Sequence, residues 1–254
     1  MEDILQTIVA HKRREVALHI AHTPLEKMRA RAAAVVRPTV SMSWALKTSS
    51  TGIIAEFKRR SPSKGWIARY AHPADVAAAY ERSGATAMSI LTDGEFFGGG
   101  VSDLTAARAV TTLPLLRKEF IVHEYQIYEA RAVGADAVLL IASVLTPEEC
   151  RHLTDTAHAL GLETLLEIHS ADEIGHILPD TDMIGVNNRH LGTFHTDTEV
   201  SFAMADKLPH DRVLVSESGI SSAETIRRLR EAGFAGFLIG ETFMKCEDPS
   251  QALR

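Results

Sequence analysis

From about residue 52 onward, short apolar, β-branched runs alternate with stretches of helical periodicity roughly 10–15 residues long. Eight runs stand out: IIAEFK (53–58), ATAMSILT (85–92), LPLLRKEF (113–120), AVLLIAS (137–143), ETLLEIH (163–169), MIGVNN (183–188), VLVSES (213–218) and GFLIGE (236–241). Their starts span 183 residues in seven steps, about 26 per step, which is one strand, one helix and two short connections. Eight such units predict a closed α/β barrel of the (β/α)8, or TIM, type. An open doubly wound sheet alternates in the same way but wants G-x-G-x-x-G at its first turn. This chain has KRRSPSKG there, with one glycine and a proline.

The helix ends support the count. Thr146-Pro147-Glu148-Glu149 sets a capping hydroxyl before a proline at the first helical position, with a carboxylate three residues on. Ser170…Glu173 and Ser221…Glu224 repeat the spacing after predicted strands. Gly84, Gly134 and Gly233 are placed to close helices in the left-handed conformation. Residues 1–48 precede the eight units and form an N-terminal helical extension: Ile4, Leu5, Ile8 and Val9 recur at helical spacing, and a second helical pattern covers 24–36. Such a prefix is expected to pack on the barrel (49–254) as a plug over one face, the alternatives being a helix for a partner or part of the active-site cover.

Composition narrows the function classes. The 254-residue length fits a single barrel, and a core of that size needs no disulfide or metal staple. Lys and Arg number 27 against 33 Asp and Glu, a net charge of -6, so a nucleic-acid binder would need a local basic patch against the overall field. Cys150 and Cys246 belong to no metal-binding cluster, and a reducing cytoplasm is expected. No apolar run is long enough to span a membrane, and the charged start MEDILQTIVAHKRREV does not read as a signal peptide.

Side chains alternate along a strand, so Glu56 and Lys58 share a direction at the C-terminal end of the first run, where barrel active sites lie. Either alone could be a solvated charge at a strand end. Lys118, Glu167, Asn187 with Arg189, and Glu217 close other runs in the same manner, which makes chance the weaker account. Glu119 and Asn188 have the opposite parity and should pair with the surrounding helices. The set holds no nucleophile–histidine–acid arrangement, and the twelve histidines show no metal-binding motif, so acid–base chemistry is favoured. A lysine acts as an acid if its pKa falls toward neutrality or if its proton goes to developing negative charge; a carboxylate acts as a base if burial raises its pKa. Gly219 and Gly240, in the loops after the last two runs, could let backbone N–H groups approach a phosphate. Ser61-Pro62-Ser63-Lys64-Gly65 could close over it.

The segments IIAEFKRRSPSKG, LLRKEFIVHEYQIYEARAVGADAVLLI, GLETLLEIH, IGVNNRHL, VSESGI and GFLIGETFM closely resemble the indole-3-glycerol phosphate synthase family of tryptophan biosynthesis. The resemblance covers essentially the whole chain. It implies closure of the pyrrole ring of 1-(2-carboxyphenylamino)-1-deoxyribulose 5-phosphate with loss of CO2 and water, without organic cofactor or metal. By resemblance, Lys118 is the general acid at the substrate carbonyl and Glu167 stabilises the cationic state. Lys58 anchors the carboxylate or phosphate and can act as an acid in dehydration, with Glu56 as a base for that step. Asn187 and Arg189 orient the carboxylate and a hydroxyl, Glu217 holds sugar hydroxyls, and Phe120 packs on the anthranilate ring. Ser61, Ser218, Gly219 and Gly240 surround the phosphate. Glu241 stands where the family commonly has serine, so its carboxylate is expected to point away from the phosphate or to pair with a cation. Lys58, Lys64, Lys118 and Arg189 should make a positive mouth. The alternatives are an aldose–ketose isomerase on the same fold, which would not need Lys118, and a non-catalytic ligand-binding barrel, which would tolerate loss of Lys118 and Glu167. The expected partner is a small phosphorylated substrate, with no nucleic acid and no membrane. The chain is read as a monomer, with association with other tryptophan-pathway enzymes left open.

Overall fold

All eight apolar runs are strands: β1 (Ile53–Phe57), β2 (Ala87–Leu91), β3 (Leu115–Lys118), β4 (Ala137–Ile141), β5 (Glu163–Ile168), β6 (Met183–Asn187), β7 (Val213–Glu217) and β8 (Phe234–Ile239). In the computed structural model, which describes residues 4–190, 192–246 and 251–253, each pairs in parallel with its neighbours, and β8 returns to β1 to close the barrel. Residues 1–3 of the expected extension, residue 191 of the NNRHL segment, and residues 247–250 and 254 lie outside the described residues.

Strand parity separates two cores. Ile54, Leu116, Leu139, Leu165, Met183 and Val215 point inward and fill the barrel's lower half. Alternate residues such as Phe57, Ile90, Val138, Ile184 and Phe237 point outward into the layer beneath the helices. Continuing the inward series toward the C-terminal ends reaches Glu56, Lys118, Glu167, Asn187 and Glu217, so the pleat that builds the core also sets the polar layer above it.

Residues 4–48 form α1 (Ile4–His22), α2 (Leu25–Ala33) and α3 (Met42–Thr48). Two ends of the barrel are served at once. On α3, Met42 and Leu46 are fully buried against the inward-facing lower core, closing the N-terminal face. The Glu163 carboxylate at the start of β5 caps this short helix, accepting from Met42 N (2.7 Å) and Ser43 N (2.8 Å). On α1, Leu5 and Ile8 turn to the opposite, catalytic face. After α4 (Pro73–Arg82) and α5 (Val101–Arg108) comes α6 (Glu124–Val133), on which α2 packs; Val16 of α1, Met28 of α2 and Tyr125 of α6 form one buried cluster there.

Several local expectations shift. The capping box at Thr146 is present on α7 (Pro147–Ala159), and Gly84, Gly134 and Gly233 take positive φ. Ser170 does not cap a helix, because the Glu173 carboxylate accepts from His169 N (2.6 Å) and the segment Ala171–His176 is a 3-10 turn. Ser222, not Ser221, caps α9 (Ala223–Glu231), accepting from Thr225 N, while Ser221 lines the cavity. The last strand begins two residues before its apolar run, since an irregularity between Phe234 and Gly236 lets Phe234 rejoin the ladder beside Leu214. Within the first loop, Arg60–Ser61 pairs with Gly65–Trp66 as a small antiparallel hairpin.

Candidate active site

A cavity of about 1020 Å³ opens at the C-terminal end of the barrel and is lined by Glu56, Lys58, Lys118, Glu167, Asn187 and Arg189, each from a strand end or within two residues beyond it. Its wall toward β2 to β4 is apolar. Leu91, Phe97, Phe120, Leu139 and Ile141 contribute, with the Phe97 and Phe120 rings 6.0 Å apart. Leu5 and Ile8 of α1 extend that side.

The floor carries paired charges. The Lys118 ammonium lies 2.5 Å from Glu217 Oε2 and 3.5 Å from Glu167 Oε2. Lys58 Nζ donates to Glu56 Oε1 at 2.5 Å. Burial alone would lower the Lys118 pKa, yet Glu217, Glu167 and Glu56 outweigh it and hold the ammonium above the ordinary lysine range. Of the two routes by which a lysine can act as an acid, this leaves donation to developing negative charge.

The carboxylates divide. Burial opposes ionisation of Glu167, but Lys118 and His169 prevail and keep its pKa well below the ordinary range. Glu56 is likewise lowered, with Lys58 and Lys118 overcoming burial. Glu217 goes the other way, raised from 4.5 to about 7 by burial and by Glu167, against the attraction of Lys118. Fully buried beneath Lys118, Glu217 is not among the residues that line the cavity.

Two glycines make room for these acids. A Cβ at Gly185 would sit 2.2 Å from Glu217 Oε1, and one at Gly240 would sit 2.2 Å from Glu56 Oε1. The bare Cα of Gly240 therefore accommodates Glu56, a requirement separate from close approach to an anion.

The opposite end of the cavity is basic. Ser61, Ser218, Gly219, Gly240 and Glu241 line it with Lys64, Arg189 and Lys245. Glu241 does pair with cations: Lys245 at 2.6 Å, Arg189 at 3.5 Å and Lys64 at 4.0 Å. Its pKa is lowered, by the Lys245 hydrogen bond most of all. Arg189 also donates to Ser63 Oγ (3.1 Å), tying the first loop to the sixth.

Three contributors lay outside the strand-end reading. His169 sits 3.3 Å from Glu167 Oε1 and 3.6 Å from Glu173. Burial would lower its pKa, but the two carboxylates raise it to about 10, so it is a cation at neutral pH. Lys245 is one helical turn beyond Glu241, a spacing visible in the sequence. Lys12 of α1 is fully buried, 2.9 Å from Asp93 and 3.1 Å from Glu119, and so joins the extension to the ends of β2 and β3. Glu119 thus pairs with a helix as its parity suggested, and Asn188 does so through Ser201 of α8 (Glu199–Ala205).

Fold and site together define a protein of the TIM-barrel class, with buried lysines and carboxylates at the barrel end where such enzymes keep their active sites. The solved N-acetylmannosamine-6-phosphate 2-epimerase from Clostridium perfringens shares the fold, with a TM-score of 0.61 over 82% of this chain and 93% of that one, at 14% identity. The family profile described as indole-3-glycerol phosphate synthase matches residues 5–254. An indole-3-glycerol phosphate synthase of Bacteroides thetaiotaomicron is 55% identical over 254 residues, covering 100% of this chain and 97% of the relative. One from Burkholderia cenocepacia is 45% identical over 258 aligned positions, covering 100% and 98%. The chain belongs to the indole-3-glycerol phosphate synthase family.

Proposed function

We propose that this cavity closes the pyrrole ring of 1-(2-carboxyphenylamino)-1-deoxyribulose 5-phosphate, releasing CO2 and water and leaving indole-3-glycerol phosphate. The carrying observation is the buried Lys118 ammonium, kept protonated between Glu217 and Glu167 on the floor of the cavity. The anthranilate ring lies on the apolar wall with Phe120, and the phosphate goes to the basic end at Ser61, Ser218, Gly219, Gly240 and the backbone of Glu241. The substrate's carbonyl then falls between them, over Lys118.

The ring carbon bearing the carboxylate attacks that carbonyl, and Lys118 gives its proton to the oxygen as it becomes an alcohol. The nitrogen becomes cationic, and ionised Glu167 stabilises it. The bond to the carboxylate breaks, its electrons neutralise the cation, and CO2 leaves. Dehydration follows: the new hydroxyl departs as water after taking a proton, and the neighbouring carbon loses one. Lys58 and Glu56, already joined, supply acid and base for that step: the ammonium keeps Glu56 ionised, and once Lys58 has given up its proton the buried carboxylate loses that stabilisation and becomes the stronger base. Asn187 and Arg189 orient the substrate's carboxylate and a hydroxyl. Glu217 acts through Lys118, holding the ammonium in place and returning a proton to it between turnovers.

The same reading has the chain working as a monomer in the cytoplasm, without organic cofactor or metal and open to association with other tryptophan-pathway enzymes. Residues 1–48 serve as an extension of a single barrel over 49–254. Among the described residues no helix is long and apolar enough to cross a membrane.

The test is the fluorescence of indole-3-glycerol phosphate formed from the carboxyphenylamino substrate. Wild type should turn over, and Lys118→Ala should lose about 10²- to 10⁴-fold in kcat while keeping its fold. A folded wild type that yields no product overturns the reaction. Undiminished turnover by the variant removes Lys118 as the acid.

A further inference from the structure

Ser218 is one of two non-glycine residues with positive φ among those described, at 69°, and Gly219 follows at 76°. Side chains other than glycine avoid this region, so Ser218 stays there only if something beyond its own preference holds it. The contact is visible. Asn188 Nδ2 donates to the Ser218 carbonyl oxygen at 3.0 Å and to Ser216 Oγ at 3.0 Å. Asn188 Oδ1 accepts from Ser201 N (3.1 Å) and Ser201 Oγ (2.8 Å).

These partners fix which end of the amide is which. A backbone N–H can only donate and a backbone carbonyl can only accept, so flipping the amide would break both contacts. The backbone of Asn188 is engaged as well: its N–H donates to Glu217 O (2.9 Å) and its carbonyl accepts from Asp197 N (3.0 Å). One buried residue thus joins the end of β6, the end of β7 and the first turn of α8. Gly219 packs closely here too, since a Cβ on it would meet Thr196 Cγ2 at 2.7 Å.

We propose that Asn188 is the positioning residue of the cavity's basic end: its side-chain amide holds Ser218 in the left-handed conformation and so presents the Ser218–Gly219 backbone to the substrate's phosphate. The inference rests on the phosphate placement proposed above. Asn188 itself lies outside the cavity lining and acts only through the loop it holds.

The experiment compares KM, kcat and competitive inhibition by inorganic phosphate in wild type, Asn188→Ala and Asn188→Asp. Asn188→Asp keeps the size and both bonds from Ser201 but sets an acceptor against the Ser218 carbonyl, and the Ser216 hydroxyl must choose between the new carboxylate and Ser201 Oγ, 2.7 Å away, so the bond to Ser218 is lost together with one bond among the serines. It carries the expectation should the alanine variant fail to fold. In both, KM and the phosphate inhibition constant should rise together by about tenfold, the effect of stranding a buried carbonyl. At the same time kcat should stay within about twofold. Adding Ser218→Gly to Asn188→Ala should recover most of the lost affinity, because glycine takes positive φ unaided. Ser201→Ala, which removes a neighbour that does not touch Ser218, should lower the thermal midpoint and leave KM unchanged. A folded variant with unchanged KM, or one that loses kcat alone, overturns the role of Asn188. A wild type indifferent to inorganic phosphate overturns the phosphate placement instead.

Discussion

Lys118 is surrounded by more negative charge than it neutralises, and the excess falls on Glu217. Burial and the nearby Glu167 raise the Glu217 pKa to about 7 even with an ammonium 2.5 Å away. A group whose folded pKa exceeds its unfolded one contributes stability that is full below the unfolded pKa and is lost as pH rises through the folded one. Wild type should therefore lose stability between about pH 4.5 and 7 at this site, and Glu217→Gln should not. Thermal melts across that range should show the two proteins alike at the acid end, with the variant ahead by on the order of 1–3 kcal/mol at pH 8. Activity should fall in the same variant, since Lys118 loses its partner. A variant less stable than wild type at pH 8 would mean that Glu217 is held there by net attraction. The strand-end acids and lysines were legible from parity, because the inward direction is fixed by the pleat. His169 shares the parity of Glu167 two residues before it, the spacing of Glu56 and Lys58, so its direction was legible as well; its charge was not, because that depends on its closeness to Glu167 and Glu173 together.

At the scale of elements, the barrel was readable because apolar runs recur at even spacing, and several of the units add a helix cap or a closing glycine. The exceptions occur where a side chain is engaged elsewhere. Glu173 serves the backbone and ring of His169, and the helix expected after β5 shrinks to a 3-10 turn. Ser221 faces the cavity, and the cap passes to Ser222. The extension was legible as amphipathic helices, but not the division of labour by which α3 closes one face while α1 reaches the other. That division depends on a tertiary contact, the Glu163 carboxylate binding the first N–H groups of α3. It leads to a stability prediction. Leu46 is fully buried in the lower barrel core, at the face opposite the cavity, so Leu46→Ala should cost about 2–5 kcal/mol in urea unfolding. Its kcat and KM under folding conditions should stay near wild type. Loss of activity without loss of stability would tie α3 to the catalytic face.

For the molecule as a whole, a net charge of -6 must coexist with an anionic substrate. The four cations expected to make the mouth positive do not act as a uniform patch. Lys58 is matched by Glu56, and Lys118 by Glu217 and Glu167, so the floor offers almost no net field. The surplus sits at the basic end, where Lys64, Arg189 and Lys245 face the single carboxylate of Glu241. Three cations against one anion leave two positive charges at the cavity rim, and attraction from an exposed rim is screened by salt over roughly 10 Å at 0.1 M. The kcat/KM of wild type should fall by a factor of about 2–5 between roughly 0.02 and 0.5 M salt, mostly through KM. Replacing Glu241 with Gln removes the one opposing charge. Glu241→Gln should lower KM at low salt and steepen the salt slope, with kcat little changed because the floor is untouched. Steady-state kinetics of both proteins over that range decide the matter. A flat slope in wild type would show that the phosphate is bound by backbone groups with no help from the rim. Parallel slopes would place the Glu241 charge outside the field the substrate feels, leaving its three cation contacts as the reason a carboxylate is tolerated beside the phosphate.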